Sequence, residues 1–555
     1  MKIRTAALLL IIALALSTSP KAQMPPSEIT LNMRTRDPQT GQLITSQLKI
    51  DPRQVGIVIV DAWNYHWCMT WTEQAGGMTP RMNQALAGAR KLGMSVFWGP
   101  TDAASMFSGW PQRQRALAVP NLPVPKIRKA DCRWTVQGGS CLCGPGIACV
   151  VNYGWDGMDP RLEIAANDLI VSGTQELYSL CRARGLTLLI YFGGATNICL
   201  TGKDVGLGPL YAAGMDTFFA RDLAFAWTHY DPAQGYTPTQ GNAQAADDLE
   251  RAGIPTVVFV DELRKLNLWD DTRITEPVRI TPAGTAQRPY LFEKTVTVTL
   301  EIPYVEKAVI HYTLDGTPVS DRSPRYERPL ELTNSATLRT AAFRARQQVS
   351  LDGQACFILL PAPPPKPAVA LETLPAVADQ YTRNGPQYGV FIWHPRKNES
   401  YDGKPLRIRG RPYPTGLGMR APAYARYDLQ PDWARFVALA GVDDHLIDHD
   451  LGANLARYPS LVFKVFIDGQ LAAESPVMRI SQTPWRFDVP IPSGSRQVVL
   501  VCDDAGSRSP YDLGNWVEAG FLQRPGKVLE TNRSAREPNA GPPNQAPTGT
   551  APPAR

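Results

Sequence analysis

Two side chains in the first half of the sequence have the type and setting for nucleophilic chemistry. Asp61 ends the apolar run Val55 to Val60 (VGIVIV), and Cys199 follows the run Thr187 to Phe192 (TLLIYF) and three small residues, Gly193, Gly194 and Ala195. A positioned carboxylate can move a proton to or from a reacting group. A thiolate attacks electrophilic carbon, and a thiol at a turn from strand into helix gains acidity from the positive end of the helix. Backbone N–H groups at such a turn can hold an oxyanion, and the small residues let a substrate carbonyl approach. Singly, an Asp after an apolar run often caps a helix and a lone Cys is often a small buried hydrophobe. Together, at the ends of strands and beside glycines, they point to a site.

The elements that must position them alternate between strand and helix. Strands are expected at Val55 to Val60, Met94 to Trp98, Thr187 to Phe192, Asp216 to Ala220 and Thr256 to Val260, and helices over 80–92, 174–184 and 242–252. Gly93 and Gly185 end the first two helices. Unbroken apolar strands separated by helices predict a parallel sheet covered on both faces, with its site beyond the carboxyl ends of the strands. The expected layout has a signal peptide at 1–22, this α/β three-layer domain at 24–270, and all-β sandwich domains at 278–361 and 380–523. A Pro-rich linker is expected at 362–379, which includes PAPPPKP, and a disordered tail at 524–555.

Residues 1 to 22 carry Lys2 and Arg4, then an apolar run of 11 residues from Ala6 to Leu16, then Pro20 and Ala22. That run is short for a membrane span, which takes roughly 20 residues, so cleavage and a secreted or periplasmic chain with no span are expected. The formal charge of +6 includes Lys2, Arg4 and Lys21, which leaves about +3 on the rest. Nothing there argues for nucleic acid. Four of the nine cysteines, Cys132, Cys141, Cys143 and Cys149, cluster in an insertion at 103–160. In an exported chain such a cluster reads as disulfides in an undetermined pairing, ahead of a zinc site, because the spacing lacks Cys-x-x-Cys.

The segment IVIVDAWNYHWC (57–68) resembles the first motif of the isochorismatase-like hydrolases, and GLTLLIYFGGATNICLTGKDVGLGPLYAAGMDTFFARDLAFA (185–226) resembles their cysteine motif. The resemblance covers roughly 51–265. It implies Cys199 as nucleophile, Asp61 as proton shuttle, and a cis bond between Gly194 and Ala195 that helps to form an oxyanion hole. The family also places a Lys ahead of the helix that precedes the cysteine strand. Here that stretch reads AANDLIVSGTQELYSL, with Ser172 nearest and no Lys; Lys126, Arg128 and Lys129 are the upstream candidates to replace it. Some relatives bind a metal through an Asp and two His. Asp102 stands at a comparable strand end, but only His66 and His229 lie in the domain, so no metal and no cofactor is expected.

Residues 311–343 (HYTLDGTPVSDRSPRYERPLELTNSATLRTAAF) resemble the chitobiase/hexosaminidase C-terminal type of immunoglobulin-like sandwich, which implies a spacer. The third module resembles NPCBM domains, a carbohydrate-binding type of β-sandwich. The resemblance runs through Lys404 to Gly410, Gly416 to Gly418, Gly441 to Asp444, Phe463 to Gly469, Cys502 to Gly506 and Asn515-Trp516. Asn515 and Trp516 are its candidate sugar-binding pair; relatives often carry His where this chain has Arg420. The resulting expectation is an exported cysteine hydrolase of a small-molecule amide, ester or related bond, brought near polysaccharide by its last module. The rivals are a non-catalytic glycan-binding protein with a degenerate hydrolase domain, and a scaffold. Cys199 is expected outside any disulfide and faster than other cysteines in alkylation by iodoacetamide.

Overall fold

The computed structural model describes residues 25–524, apart from 130–131, 137–140, 144–154, 156, 377–380, 386–388, 394, 449–457 and 508. The expected signal peptide, Cys149 and the tail beyond residue 524 lie outside the described residues. Among the described residues no helix is long and apolar enough to cross a membrane.

The run VGIVIV buries every residue. Successive side chains of a strand point to opposite faces, so Ile57 and Ile59 enter one core and Val58 and Val60 another. The strand therefore has to lie inside a sheet that is covered on both sides. Its sheet contains β1 (Ile29–Arg36), β2 (Leu43–Ile50), β3 (Val55–Val60), β4 (Ser95–Gly99), β5 (Leu169–Ile170), β6 (Leu188–Gly194), β7 (Asp216–Phe225) and β8 (Thr256–Val257), in the order β2-β1-β8-β7-β6-β3-β4-β5. From β8 to β5 all neighbours are parallel. The expected parallel sheet is extended by an antiparallel hairpin, because β1 pairs β8 and β2 closes over β1.

Among the described residues eight helices accompany the sheet: α1 (Met69–Gly77), α2 (Thr79–Lys91), α3 (Pro111–Leu117), α4 (Thr174–Arg184), α5 (Cys199–Gly202), α6 (Leu207–Ala212), α7 (Pro238–Arg251) and α8 (Phe259–Lys265). Met82 and Leu86 of α2 and Phe259 and Val260 of α8 join Ile57 and Ile59. Leu177 and Leu180 of α4, and Leu207 and Leu210 of α6, join Val58 and Val60 on the other face. The parallel part of the chain starts at β3, runs outward through β4 and β5, and then returns to place β6 on the opposite side of β3. The crossovers diverge between β3 and β6, which opens a crevice at the carboxyl ends of those two strands.

The second module packs a sheet of Arg279–Thr281, Val296–Glu301 and Leu330–Leu332 on one of Tyr290–Phe292, Gly353–Leu359, Ala336–Arg344 and Val309–Thr313. Its buried Val298, Leu338 and Phe357 belong to the same apolar cluster as Val58 and Val60. The third module sets Gly416–Arg420, Leu513–Gln523, Trp433–Val442 and Trp485–Pro490 against Ala423–Asp428, Gln497–Asp503, Ser460–Ile467 and Gln470–Glu474. Part of the expected linker belongs to this sandwich. Val369 and Ala370 pair with Phe521 and Gly520, and Leu371 is fully buried.

Trp516 is also fully buried, between Phe436, Phe463 and Phe487. It is therefore a core residue and no sugar platform, which corrects the sequence expectation; its strand buries that position between the two sheets. Trp516→Ala should cost about 3–5 kcal/mol of third-module stability. Urea unfolding followed by tryptophan fluorescence and circular dichroism measures it, and a loss under about 1 kcal/mol would contradict the burial.

Candidate active site at the sheet switch point

Asp61 leaves β3 and Cys199 opens α5 just beyond β6, so both stand at the crevice between these neighbouring strands. The approach is close because Gly193, at φ +97°, has no Cβ; one built there would sit 2.2 Å from the Val60 carbonyl oxygen. Gly194 is pressed in the same way by the Phe225 ring, which a Cβ would meet at 2.4 Å. The bond between Gly194 and Ala195 is cis. Asp61 (φ 45°) and Thr101 (φ 27°) both adopt the left-handed region that residues with a Cβ avoid. The Thr101 hydroxyl donates to Asp61 Oδ1 at 2.6 Å, and the Asp61 N–H donates to the Gly99 carbonyl at 3.2 Å. Asp61 is thus held from the β4 side, by its backbone and by its carboxyl.

Asp61 is 1% exposed and Cys199 5%. Burial pushes the Asp61 carboxyl up to about 6, against the lowering contacts of Thr101, Cys199 and Lys203. Burial also pushes the Cys199 thiol up, and the neighbouring Asp61 charge raises it further; the Ala195 N–H and Lys203 oppose this. The resting thiol is therefore protonated. Burial beside a carboxylate thus opposes the acidification expected where α5, a single turn, begins.

The cation that acts on both groups is Lys203, four residues beyond the cysteine. Burial lowers Lys203, but the Asp102 partner and the Asp61 and Cys199 charges raise it overall. Its Nζ lies 2.5 Å from Asp102 Oδ2. Sequence reasoning passed over this pair, because the two residues are 101 positions apart and meet only through the order of the strands. The upstream candidates are elsewhere. Arg128 pairs with Asp216 at the start of β7, the opposite end of the sheet, and Lys126 and Lys129 flank it on a segment held by Ala212. Ser172, at the expected lysine position, accepts from Arg113, which is paired with Glu176. His66 is buried, stacked on Trp63 and accepting from the Cys68 N–H. Of the expected cysteine cluster, Cys141 and Cys143 meet Cys68, and Cys149 lies outside the described residues.

In the third module Asn515 is fully buried and donates to Asp443 Oδ2 at 2.5 Å, so its role is to hold a loop and not to face solvent. That loop carries a polar cluster. His445 bonds Asp443 through Nδ1 and Asp402 through Nε2, the latter at 3.1 Å. Arg407 pairs with Asp444 at 2.5 Å and Asp448 at 2.6 Å. Asp402 and Asp448 are exposed, and Tyr401 lies beside Asp402 with Arg396 and Arg420 over its ring.

Comparison with known proteins matches residues 373–522 to the NPCBM/NEW2 domain and residues 288–352 to the chitobiase/beta-hexosaminidase C-terminal domain. A candidate endo-alpha-N-acetylgalactosaminidase of Renibacterium salmoninarum is 31% identical over 121 residues, which are 22% of this chain and 7% of that protein. The chain thus matches only a small part of that relative's length. Among solved structures, the CBM51 of Clostridium perfringens GH95 in complex with methyl-galactose is 24% identical, covering 28% of this chain and 99% of that one with a TM-score of 0.23. The CBM51-2 and INT domains of C. perfringens ZmpB are 21% identical, covering 34% and 37% with a TM-score of 0.23. The chain is therefore multidomain, with C-terminal all-β sandwiches of types that include carbohydrate-binding modules.

The raised Asp61 carboxyl has a consequence for stability. The folded chain keeps a proton there that the unfolded chain releases from about pH 4. The stability this gives is complete below pH 4 and is lost as pH rises through about 6. Its size is about 3 kcal/mol. Asp61→Asn should remove that decline, so urea unfolding at intervals from pH 4 to 7 should give a flatter curve than the parent chain; parallel curves would contradict the assignment.

Proposed function

We propose that the chain binds glycans through its third module and that its first domain is a cysteine hydrolase for a small amide, ester or related bond. The NPCBM match over 373–522 supports the first part, and the partial match to a candidate glycosidase agrees with it. The polar cluster of Asp402, His445, Arg407 and Asp448 offers the planar hydrogen-bonding groups that a sugar needs, with Tyr401 as the adjoining ring. Export, read from residues 1 to 22, would bring that face to polysaccharide outside the cytoplasm.

The observation that carries the second part is the junction of Asp61, Cys199 and Lys203 at the switch point. In the proposed cycle the Cys199 proton passes to the Asp61 carboxylate as the sulfur adds to the substrate carbonyl. Asp61 returns that proton to the leaving group as the carbon–heteroatom bond breaks, and a thioester remains on Cys199. Water then gives a proton to Asp61 and adds to the thioester. The carboxylic acid product leaves, and the proton goes back to the sulfur. Lys203 offsets the negative charge shared by the two groups, and the turn at Gly194 and Ala195 is the candidate holder of the oxyanion. A base at about 6 is matched to neutral pH, so turnover should rise with pH through that value. The buried, protonated thiol favours one rival reading, a glycan-binding protein whose first domain has lost turnover.

Screening the full chain against small amides and esters should find hydrolysis that Cys199→Ala abolishes with its circular dichroism unchanged; unchanged turnover would refute the nucleophile. On a glycan array the combined variant His445→Ala and Asp448→Ala should bind at least about tenfold more weakly, roughly 1.4 kcal/mol. Equal binding would remove the polar cluster from the account, and no binding by the parent chain would remove the glycan reading.

A further inference from the structure

Cys68, Cys141 and Cys143 converge in a buried seam where the first domain meets both sandwiches. Their sulfur atoms all lie within 4.8 Å of one another. Cys68 and Cys143 are 3.9 Å apart, and Cys141 and Cys68 are 3.0 Å apart. None of the three residues is more than 2% exposed. Cys68 caps the N-terminus of α1, while Cys141-Leu142-Cys143 arrives on the insertion. Cys143 also lines a cavity of about 40 Å³ together with Met69, Arg288, Tyr290 and Gln482.

We propose that these three sulfurs bind one thiophilic d10 cation, Cu(I) or Zn(II), as thiolates. One cation can use all three sulfurs at once, which suits three donors within one ligand sphere. Zn–S bonds of about 2.3 Å place tetrahedral sulfurs about 3.8 Å apart. The Cys68–Cys143 separation already has that length, and Cys141 reaches it by withdrawing less than about 1 Å. The positive end of α1 favours the thiolate form of Cys68. The surroundings hold the donors in place. The Thr70 hydroxyl lies 3.3 Å from the Cys143 sulfur and accepts the Ala283 N–H at 2.9 Å. The Tyr290 hydroxyl donates to the Cys143 carbonyl at 2.7 Å. Both Ala283 and Tyr290 belong to the second sandwich region, so the cation would tie the insertion, α1 and that module together. Met69 lines the same cavity as Cys143, and a thioether suits Cu(I). Binding releases the thiol protons, so affinity falls as pH is lowered. The site is separate from Cys199 and stands whether or not the first domain is an enzyme.

The test uses the full chain, reduced and stripped of metal, titrated without oxygen with Cu(I) or with Zn(II), and with Cd(II) as an ultraviolet reporter of thiolate binding. One ion per chain, a thiolate charge-transfer band and a raised thermal midpoint are expected. Cys141→Ser and Cys143→Ser should each weaken binding at least tenfold, while Cys199→Ala should leave it unchanged. Tighter binding of either Cu(I) or Zn(II) supports the site and identifies its ion. X-ray absorption of the loaded parent chain keeps the test decisive if the serine variants misfold: a first shell of about three sulfurs is expected. A shell of oxygen and nitrogen, binding that survives Cys143→Ser, no binding, or a Cys68–Cys141 disulfide found by peptide mapping of chain isolated without reductant would each overturn the proposal.

Discussion

A carboxyl and a thiol are forced into one dry crevice because β3 and β6 are neighbours at the point where the sheet's winding reverses. Everything in the first domain serves or pays for that placement. The absent Cβ of Gly193 lets the two strands close up, and the Thr101 hydroxyl fixes the carboxyl from the β4 side. Burial works against charge on either group, and the Asp61 charge works against ionisation of Cys199. The pair is thus best described as sharing one proton near neutral pH, with Lys203 as the compensating cation.

The segment that follows Asp61 is held by all three units. Trp63, His66, Trp71 and Trp227 pack ring against ring beneath it. The Arg288 guanidinium of the second module region donates to the His66 and Trp67 carbonyls, and Tyr65 and Trp67 pack on the core of the third module. The chain leaving the candidate active site is therefore clamped by the sandwiches. A spacer role alone does not account for those contacts of the second module.

Much of the first domain was legible because its signals are local. A run such as VGIVIV can satisfy its burial only inside a covered sheet, and Gly185 ends α4 in the left-handed conformation expected of it. Asp61 directly follows β3 and Cys199 lies five residues beyond β6, so the strands alone place both near one sheet edge. What escaped depends on which distant segments meet. Lys203 follows the cysteine but becomes relevant only when Asp102 and Asp61 come to it across the sheet. Cys68 joins Cys141 and Cys143 from 73 positions away, outside any spacing pattern. Trp516 was misread because a core indole and an exposed one have the same letter; only the second sheet, laid over it, decides. The polar loop of the third module was visible as Asp443-Asp444, but its partners Arg407 and Asp402 were not.

The protonation of the pair can be read directly from the vibrational spectrum of the Asp61 carboxyl. Infrared difference spectra of the parent chain and Asp61→Asn, taken across the neutral and acid range, isolate that one group. A carboxylic C=O band that disappears with a midpoint near 6, while the Cys199 S–H stretch persists above it, is the result this account predicts. A midpoint near that of an exposed aspartate, about 3.9, or an S–H stretch lost at neutral pH, would contradict it.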